Sequence, residues 1–345
     1  MHNQISYAII TLLVFGSSNP APYRFLFSFK VLNALIGRFA PSPSGRMHLG
    51  NVLCALLSWL SVRSQHGSYI LRIEDLDPER CPRSYADIIE DDLSWLGLDW
   101  DAGASKGGTD GSYYQSERTA IYQNYFDVLS SQGLLYPCFC SRAALHAASA
   151  PHLSDGRVIY AGTCRSLTPE QISEKRQTRG AAVRIRVPEE IISFTDGLQG
   201  ACHQSLTQEC GDFIIRRSDG VFAYQLAVVV DDGREGVTEV VRGRDLLDST
   251  ARQIWLHRLL GFAPPQFIHI PLLNDANGRR LSKRDADLDL GVLRQRFTPS
   301  ELTGALACAA GLIPKPFSVS PSELISEFSW DKIPAHDLCL PDRFF

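Results

Sequence analysis

A short apolar strand joined to a helix by a rigid loop lies near the start of the chain. The run 36–40 predicts a strand, the proline-containing run 41–46 predicts a loop, and apolar residues recur at helical spacing over 49–62. Backbone N–H groups and the positive end of the helix dipole attract phosphate at such a junction, and Gly50 allows close backbone approach. His48 adds a side-chain donor. The segment therefore predicts a nucleotide site.

The complete run from Arg38 to Asn51 resembles the HIGH signature of the class I aminoacyl-tRNA synthetases, in the form found in the glutamate enzymes. The fourth motif position is Asn51, whose amide donates hydrogen bonds but carries no charge, so we assign most of the phosphate contact to His48. The resemblance implies a nucleotide site containing His48, Gly50 and Asn51, with ATP as substrate and Mg²⁺ bound with the ATP.

A basic loop far downstream is the expected partner of this signature. Residues 278–285 resemble the KMSKS loop of class I synthetases. An isolated segment of this kind is equally typical of an ordinary solvated loop. Paired with the first signature, it predicts a catalytic role for Lys283, whose ammonium can stabilise negative charge on the departing pyrophosphate. The nucleotide-binding residues predicted in this loop are Arg280, Leu281, Ser282 and Lys283.

Strand and helix patterns alternate after the first helix. The run 69–74 predicts a buried parallel strand, and 84–96 predicts a helix. The alternation predicts an α/β fold with a Rossmann-like sheet and a ligand at the carboxyl ends of its strands. We place the catalytic domain at 36–296, a C-terminal helical segment at 297–345 and an extension of doubtful structure at 1–35.

Motifs of the glutamate enzymes also occur beyond the first signature. The resemblance implies that Glu74 holds the substrate ammonium and that Arg38 pairs with a glutamate carboxylate, while Tyr224 and Arg242 line the pocket. Residue chemistry is consistent with this, because a dicarboxylic amino acid needs an arginine fork and an acidic partner for its ammonium. The implied glutamate-binding residues are Arg38, Phe39, Ala40, Pro41, Ser42, Glu74, Tyr224 and Arg242.

Two further groups of polar residues are predicted to be structural. The apolar run before Asp231 and Asp232 predicts a strand or buried segment, with the two carboxylates at a solvated strand end; an amino-group or helix-capping role is the alternative. Cys202, His203 and Cys210 lack the paired spacing of a zinc ribbon and predict a loop rather than a second metal site.

Three cysteines between the two signatures predict a metal site. Cys138, Cys140 and Cys164 can supply three corners of a tetrahedral zinc site, with buried free thiols as the alternative. Because they cluster in one segment, we predict a zinc-binding insertion around 136–166 that holds one Zn²⁺ per chain.

The fourth zinc ligand has two sets of candidates. Histidine is the usual partner of cysteine, so spacing alone favours His146 or His152. The pattern C-x-C followed by Y-x-x-x-C instead resembles the zinc insertion of the glutamyl-queuosine tRNA(Asp) synthetases, a shortened branch of the glutamate enzymes. This resemblance implies Tyr160 as the fourth ligand, with an aromatic packed beside the metal as the alternative.

Composition limits the partners. The formal charge of −4 excludes a generally basic nucleic-acid coat, so any RNA contact must come from local patches. The nine unevenly spaced cysteines do not suggest a secreted disulfide framework. The apolar run 7–16 is too short to span a bilayer, and no Lys or Arg precedes it; a poor signal peptide is the alternative. We predict a cytoplasmic monomer without membrane contact.

The resemblance implies a complete reaction. Only 62 residues follow Lys283, too few for a separate anticodon-reading domain of typical size. Such a chain is expected to activate glutamate with ATP and pass it to queuosine in the anticodon of tRNA(Asp), without charging the 3′ end. One alternative is a short glutamyl-tRNA synthetase that charges an acceptor end. The other is a non-catalytic synthetase-like tRNA-binding protein, which has no need for an amino-acid pocket.

Overall fold

The computed structural model describes residues 34–141, 159–274 and 289–340. These residues belong to one compact unit that begins at Ala34. The strands are β1 (Ile36–Phe39), β2 (Ser68–Leu71), β3 (Ala102–Gly103), β4 (Leu135–Cys138), β5 (Ala182–Ile185), β6 (Ile191–Asp196), β7 (Gly200–Ser205), β8 (Phe213–Arg216), β9 (Glu239–Gly243), β10 (Gln266–Ile270), β11 (Leu273–Asn274) and β12 (Leu338–Cys339). The α-helices are α1 (Leu49–Ser64), α2 (Arg83–Leu96), α3 (Thr119–Ser131), α4 (Pro169–Thr178), α5 (Tyr224–Arg234), α6 (Thr250–Leu259), α7 (Leu290–Arg296) and α8 (Pro299–Ala309).

A five-stranded parallel sheet forms the centre of the fold. Its order is β10-β9-β1-β2-β3, so β1 has β2 on one side and β9 on the other. The order of strands along the chain therefore reverses at β1. In parallel α/β sheets, ligands bind at such a reversal, outside the carboxyl ends of the strands. The predicted α/β fold with a Rossmann-like sheet is confirmed.

Helix α1 packs against this sheet, and its leucines are buried. Leu49, Leu53, Leu57 and Leu60 are at most 1% exposed, and α1 contacts both β1 and β9. Nine residues, 40–48, connect β1 to α1, which begins at Leu49 as predicted and runs to Ser64. The helix is long enough to hold its first turn rigidly against the carboxyl end of β1.

A separate antiparallel region interrupts the parallel sheet between β3 and β9. β4, β5 and β8 form one three-stranded antiparallel sheet, and β6 pairs with β7 as a hairpin. Cys202 and His203, predicted to lie in a loop, are in fact paired residues of β7, and Cys210 ends a short π-helical turn. The ring of His203 hydrogen-bonds the Ser193 hydroxyl across the hairpin at 2.8 Å.

The segment before Asp231 and Asp232 is a helix, α5, rather than a strand that ends in solvent. The residues from Leu226 to Asp232 are all buried, on every face of the helix. A helix buried all round loses the 3.6-residue alternation of apolar and polar positions, and its valine run resembles a buried strand. The predicted solvated strand end is therefore wrong, and both carboxylates lie in the interior.

Some predictions fall outside the described residues. These include the apolar run 7–16, the candidate ligands His146 and His152, and the KMSKS-like loop with Arg280, Leu281, Ser282 and Lys283. Among the helices that the structure describes, none combines the length and apolar character needed to cross a membrane.

Candidate active site and metal centre

The carboxyl ends of β1, β2 and β9 bring the predicted pocket residues to one edge of the sheet. Arg38 lies on β1 and Arg242 on β9, while Glu74 follows β2. The Glu74 N–H donates to the Pro41 carbonyl at 3.0 Å, which holds Glu74 beside the loop after β1. β1 and this loop contain Arg38, Phe39, Ala40, Pro41 and Ser42.

His48 caps the first turn of α1. Its Nδ1 accepts from the Gly50 N–H at 3.1 Å, and the Asn51 Oδ1 accepts from the His48 N–H at 3.3 Å. A Cβ on Gly50 would lie 3.0 Å from the His48 ring, so glycine makes room for this cap. Because Nδ1 accepts, a neutral His48 carries its proton on Nε2. Asn51 thus has a capping contact in addition to its predicted nucleotide role.

The chain contacts the first signature shortly after the KMSKS-like loop. Asp289 forms a backbone bridge with His48, and the Leu290 N–H donates to the Met47 carbonyl at 2.8 Å. Asp289, four positions after the second predicted motif, therefore lies beside the first motif.

Arg242 is a buried cation held by neutral groups. It is 4% exposed, and its guanidinium contacts five acceptors that carry no charge. Within the part of the chain that the structure describes, no carboxylate lies within ion-pair distance of it. Burial lowers its pKa, because a desolvated charge is costly unless it is paired. An anionic ligand would supply that pairing. The acceptors are His269 Nε2 at 2.9 Å, Gln253 Oε1 at 2.7 Å, Thr250 Oγ1 at 2.9 Å, the Leu246 carbonyl at 3.3 Å and the Tyr224 hydroxyl at 3.4 Å.

Arg38 is held by a buried ion network beneath the pocket. Its Nε lies 3.3 Å from Asp232 Oδ1, and Asp232 also pairs with the fully buried Arg72 at 2.7 Å. Arg72 further contacts Glu235 at 2.7 Å and Glu74 at 3.6 Å. Such networks are costly to desolvate but strongly directional, and removal of one member leaves an unpaired buried charge. The network therefore orients both Arg38 and Glu74.

Glu74 is the most exposed carboxylate of this ion network. Its side chain is 9% exposed, against 3% for Asp232 and 0% for Glu235. Burial raises the pKa of Glu74 to about 7, although Arg72 and Arg38 act in the opposite direction. The carboxylate is therefore poised to ionise fully only when a cation approaches it or the pH exceeds neutrality.

The three predicted cysteines lie together at the end of β4. The sulfurs of Cys138, Cys140 and Cys164 are all within 4.8 Å of one another. Zinc–sulfur bonds of about 2.3 Å in a tetrahedron separate two sulfurs by about 3.8 Å, and Cys140 Sγ lies 3.7 Å from Cys164 Sγ. The Phe139 N–H also points at Cys164 Sγ at 3.4 Å. The donor set fits a thiophilic metal such as Zn²⁺.

The Tyr160 hydroxyl lies beside this cluster. Its hydroxyl oxygen lies 3.5 Å from Cys138 Sγ and 4.0 Å from Cys140 Sγ, and it accepts from the Cys164 N–H at 2.7 Å. Tyr160 is 8% exposed, so the oxygen faces the sulfurs rather than solvent. An oxygen donor therefore lies close to the sulfurs of Cys138 and Cys140.

Apart from Tyr224, the sequence did not predict the side chains that accept hydrogen bonds from Arg242. His269 lies opposite Arg242 in the β9–β10 register, and Thr250 and Gln253 reach it from α6. One signal was present: His269 is a polar residue within the apolar run of β10. Such a side chain must find a buried partner.

The parallel sheet, the capped first turn of α1 and the buried arginines at one sheet edge agree with the class I tRNA synthetases. The family of class I tRNA synthetases for glutamate and glutamine (E and Q), catalytic domain, matches residues 34–313. The chain belongs to this family, and it is a ligase that uses ATP.

The chain is similar to several individual members of this family. The chain is 48% identical over 309 residues to the glutamyl-Q tRNA(Asp) synthetase of Nitratidesulfovibrio vulgaris, covering 88% of this chain and 95% of that protein. It is also 48% identical over 312 residues to the enzyme of the same name from Symbiobacterium thermophilum, covering 89% and 96%. Among solved structures, the glutamate-tRNA synthetase of Elizabethkingia anophelis matches with a TM-score of 0.78 and 28% identity, covering 90% of this chain and 69% of that one.

Proposed function

We propose that this ligase activates glutamate as glutamyl-adenylate and transfers it to queuosine in the anticodon of tRNA(Asp), without charging the 3′ end. The names of relatives that match over nearly their whole length support the acceptor. The observation that carries the amino-acid assignment is the buried Arg242 guanidinium, which contacts neutral acceptors and lies on the strand beside Arg38. A cation so placed needs an anionic ligand.

In this proposal the charged groups of the pocket have complementary roles. Arg242 and Arg38 bind the side-chain carboxylate of glutamate, with Tyr224 beside them, and Glu74 binds the ammonium. The α-carboxylate then attacks the α-phosphate of ATP, and pyrophosphate leaves. His48 Nε2–H donates to a phosphate at the start of α1, and Lys283 neutralises the departing pyrophosphate. Mg²⁺ bound with ATP supplies further charge neutralisation.

Glu74 makes glutamate use dependent on pH. Because its pKa in the empty pocket is raised to about 7, the carboxyl is protonated below that pH and cannot pair with the substrate ammonium. We expect kcat/KM for glutamate to rise with pH and to level off above about 7, since kcat/KM reports groups of the free enzyme. Glutamate-dependent pyrophosphate exchange from pH 5.5 to 9 measures this.

Two glutamate variants test the origin of this profile. Glu74→Gln is expected to have lower kcat/KM and to lose the rise near pH 7, while Glu117→Gln, at an exposed ion pair with Arg83, keeps the wild-type profile. A rise of equal size in Glu74→Gln would assign the titration to ATP or to another group.

We infer that the cluster at the end of β4 holds one Zn²⁺ through Cys138, Cys140, Cys164 and Tyr160. Such a closed four-ligand site is typical of structural zinc. The metal would then hold together the small group of buried residues around Tyr136 and Phe139, which is separate from the main core.

Since its substrates are ATP and tRNA, we propose that the enzyme acts in the cytoplasm.

Transfer of radiolabelled glutamate tests the acceptor. We expect labelling of tRNA(Asp) that contains queuosine and background labelling of the same tRNA with guanosine at that position. The label should persist on queuosine-containing tRNA(Asp) prepared without its 3′-terminal adenosine, and it should be released by mild base because a hydroxyl forms an ester. The adenosine must be omitted without periodate, which also cleaves the diol of queuosine.

The same experiment separates the competing functions. If the label requires the terminal adenosine, or if unmodified tRNA(Glu) is charged equally well, the protein is a short glutamyl-tRNA synthetase. If metal-replete enzyme shows neither glutamate-dependent pyrophosphate exchange nor transfer, it is a non-catalytic relative.

A further inference from the structure

A buried hydrogen-bond chain runs from the pocket to the β6–β7 hairpin. The Arg242 Nε–H donates to His269 Nε2 at 2.9 Å, and His269 Nδ1 lies 2.5 Å from Asp196 Oδ2. All three residues are at most 4% exposed. Because Nε2 must accept from an arginine that is always protonated, the neutral ring carries its proton on Nδ1 and donates it to Asp196.

Asp196 is fixed as an acceptor by its surroundings. Its other oxygen accepts backbone N–H groups of Leu198, Gln199 and His269 at 2.9 to 3.1 Å. Burial opposes ionisation, but the hydrogen bond from His269 and these N–H groups hold the pKa of Asp196 below its usual range. The carboxylate therefore stays ionised, and it can only accept from His269.

The hairpin tip is attached to β10 at the same point. The Gly197 N–H donates to the Phe267 carbonyl at 2.8 Å, and the Gln199 side chain donates to the His269 carbonyl at 2.8 Å. A Cβ on Gly197 would lie 2.7 Å from Ile268 Cγ1, so glycine permits this close approach. These contacts hold Asp196 in a fixed position behind His269.

We propose that Asp196 and His269 are positioning residues for Arg242: the carboxylate selects the Nδ1–H form of the imidazole, and the Nε2 lone pair then fixes the guanidinium for the side-chain carboxylate of the amino acid. The second half of this inference rests on the proposed function of Arg242.

Charged groups face His269 from three directions: Asp196 from β6, Arg242 from β9 and Asp245 from the turn after β9. Burial is the largest influence and, together with Arg242, lowers the pKa of His269 despite the two carboxylates. A protonated ring would present an N–H and a positive charge to the Arg242 N–H, which would turn the guanidinium away.

Substitution of Asp196 tests the selection of the ring form directly. In Asp196→Asn the amide oxygen can keep the backbone N–H groups while the amide nitrogen donates to His269 Nδ1. The ring proton must then move to Nε2, against Arg242. Nitrogen NMR of ¹⁵N-histidine-labelled protein should show a protonated Nδ1 and an unprotonated Nε2 for His269 in the wild type, and the reverse in Asp196→Asn.

The kinetic arm is run at pH 8, where Glu74 is ionised. Loss of a hydrogen bond to a charged group weakens binding by roughly 10-fold to 100-fold. We expect an increase of this size in the glutamate KM of Asp196→Asn and His269→Leu. KM for ATP should change little. His269→Gln, whose Oε1 can accept from Arg242, should restore most of the affinity. His203→Gln, on strand β7 of the hairpin, is the matched control.

Each outcome bears on a different part of the inference. An unchanged ring form in Asp196→Asn, or a reversed form with unchanged glutamate KM, would overturn it. So would a His269→Gln enzyme as impaired as His269→Leu, because that pattern indicates packing alone. If the NMR result is as expected but the wild type does not use glutamate, the proposed function fails and the control of His269 by Asp196 stands.

Discussion

Replacing Arg242 with methionine is expected to lower kcat/KM for glutamate by roughly 10³-fold. Methionine matches the length of the side chain but leaves the substrate carboxylate without its buried partner. Truncation of one member of a buried, hydrogen-bonded charge pair costs about 2–5 kcal/mol. The acceptors Gln253 and Thr250, which now contact the guanidinium at 2.7 and 2.9 Å, would also lose a donor. Glutamate-dependent pyrophosphate exchange in the absence of tRNA measures the loss.

Arg244 provides a matched control two residues further along. Its side chain is 37% exposed and pairs with Asp337 at 2.7 Å, and exposed ion pairs of this kind contribute at most about 1 kcal/mol. Arg244→Met should therefore stay within a few-fold of the wild type. An Arg242→Met enzyme with near-normal kcat/KM for glutamate and normal KM for ATP would contradict the assignment of Arg242.

The local fold of the first signature could be predicted from sequence because it depends on contiguous residues. The strand β1, the loop after it and the start of α1 are contiguous, and their residues cap one another within three positions, as His48 and Asn51 do. The pocket residues Glu74, Tyr224 and Arg242 were found through their resemblance to a family. Their convergence at one sheet edge follows from parallel strand order.

The support behind the pocket could not be predicted in this way. Asp196 and His269 are 73 positions apart, and the helix that carries Asp231 and Asp232 resembles a strand because it is buried on all faces. The structural role of these carboxylates is visible only from their partners in the fold. Arg72 and Arg118 each lie within 4 Å of Asp231. Long-range polar pairing leaves no periodic signal in a single sequence, whereas apolar burial does.

We expect one tightly bound zinc per chain in purified wild-type protein. Cys164→Ser should remove most of it, because a hydroxyl is a far weaker zinc ligand than a thiolate. Cys202→Ser, which changes a half-buried cysteine of β7 outside the cluster, is the matched control and should keep full occupancy. Elemental analysis measures both, and a metal-free wild type or a fully loaded Cys164→Ser would refute the site.

Tyr160→Phe decides the fourth ligand. Removal of the hydroxyl that lies 3.5 Å from Cys138 Sγ should weaken zinc binding by roughly 10²-fold or more, since even groups that only orient a ligand contribute 10-fold to 100-fold. Competition with a chromogenic chelator measures the affinity. If Tyr160→Phe binds zinc as tightly as the wild type, the fourth ligand is a histidine or water. The ring of Tyr160 would still contact Arg184, whose guanidinium lies 3.8 Å from the ring centroid, so an effect confined to stability would indicate packing rather than coordination.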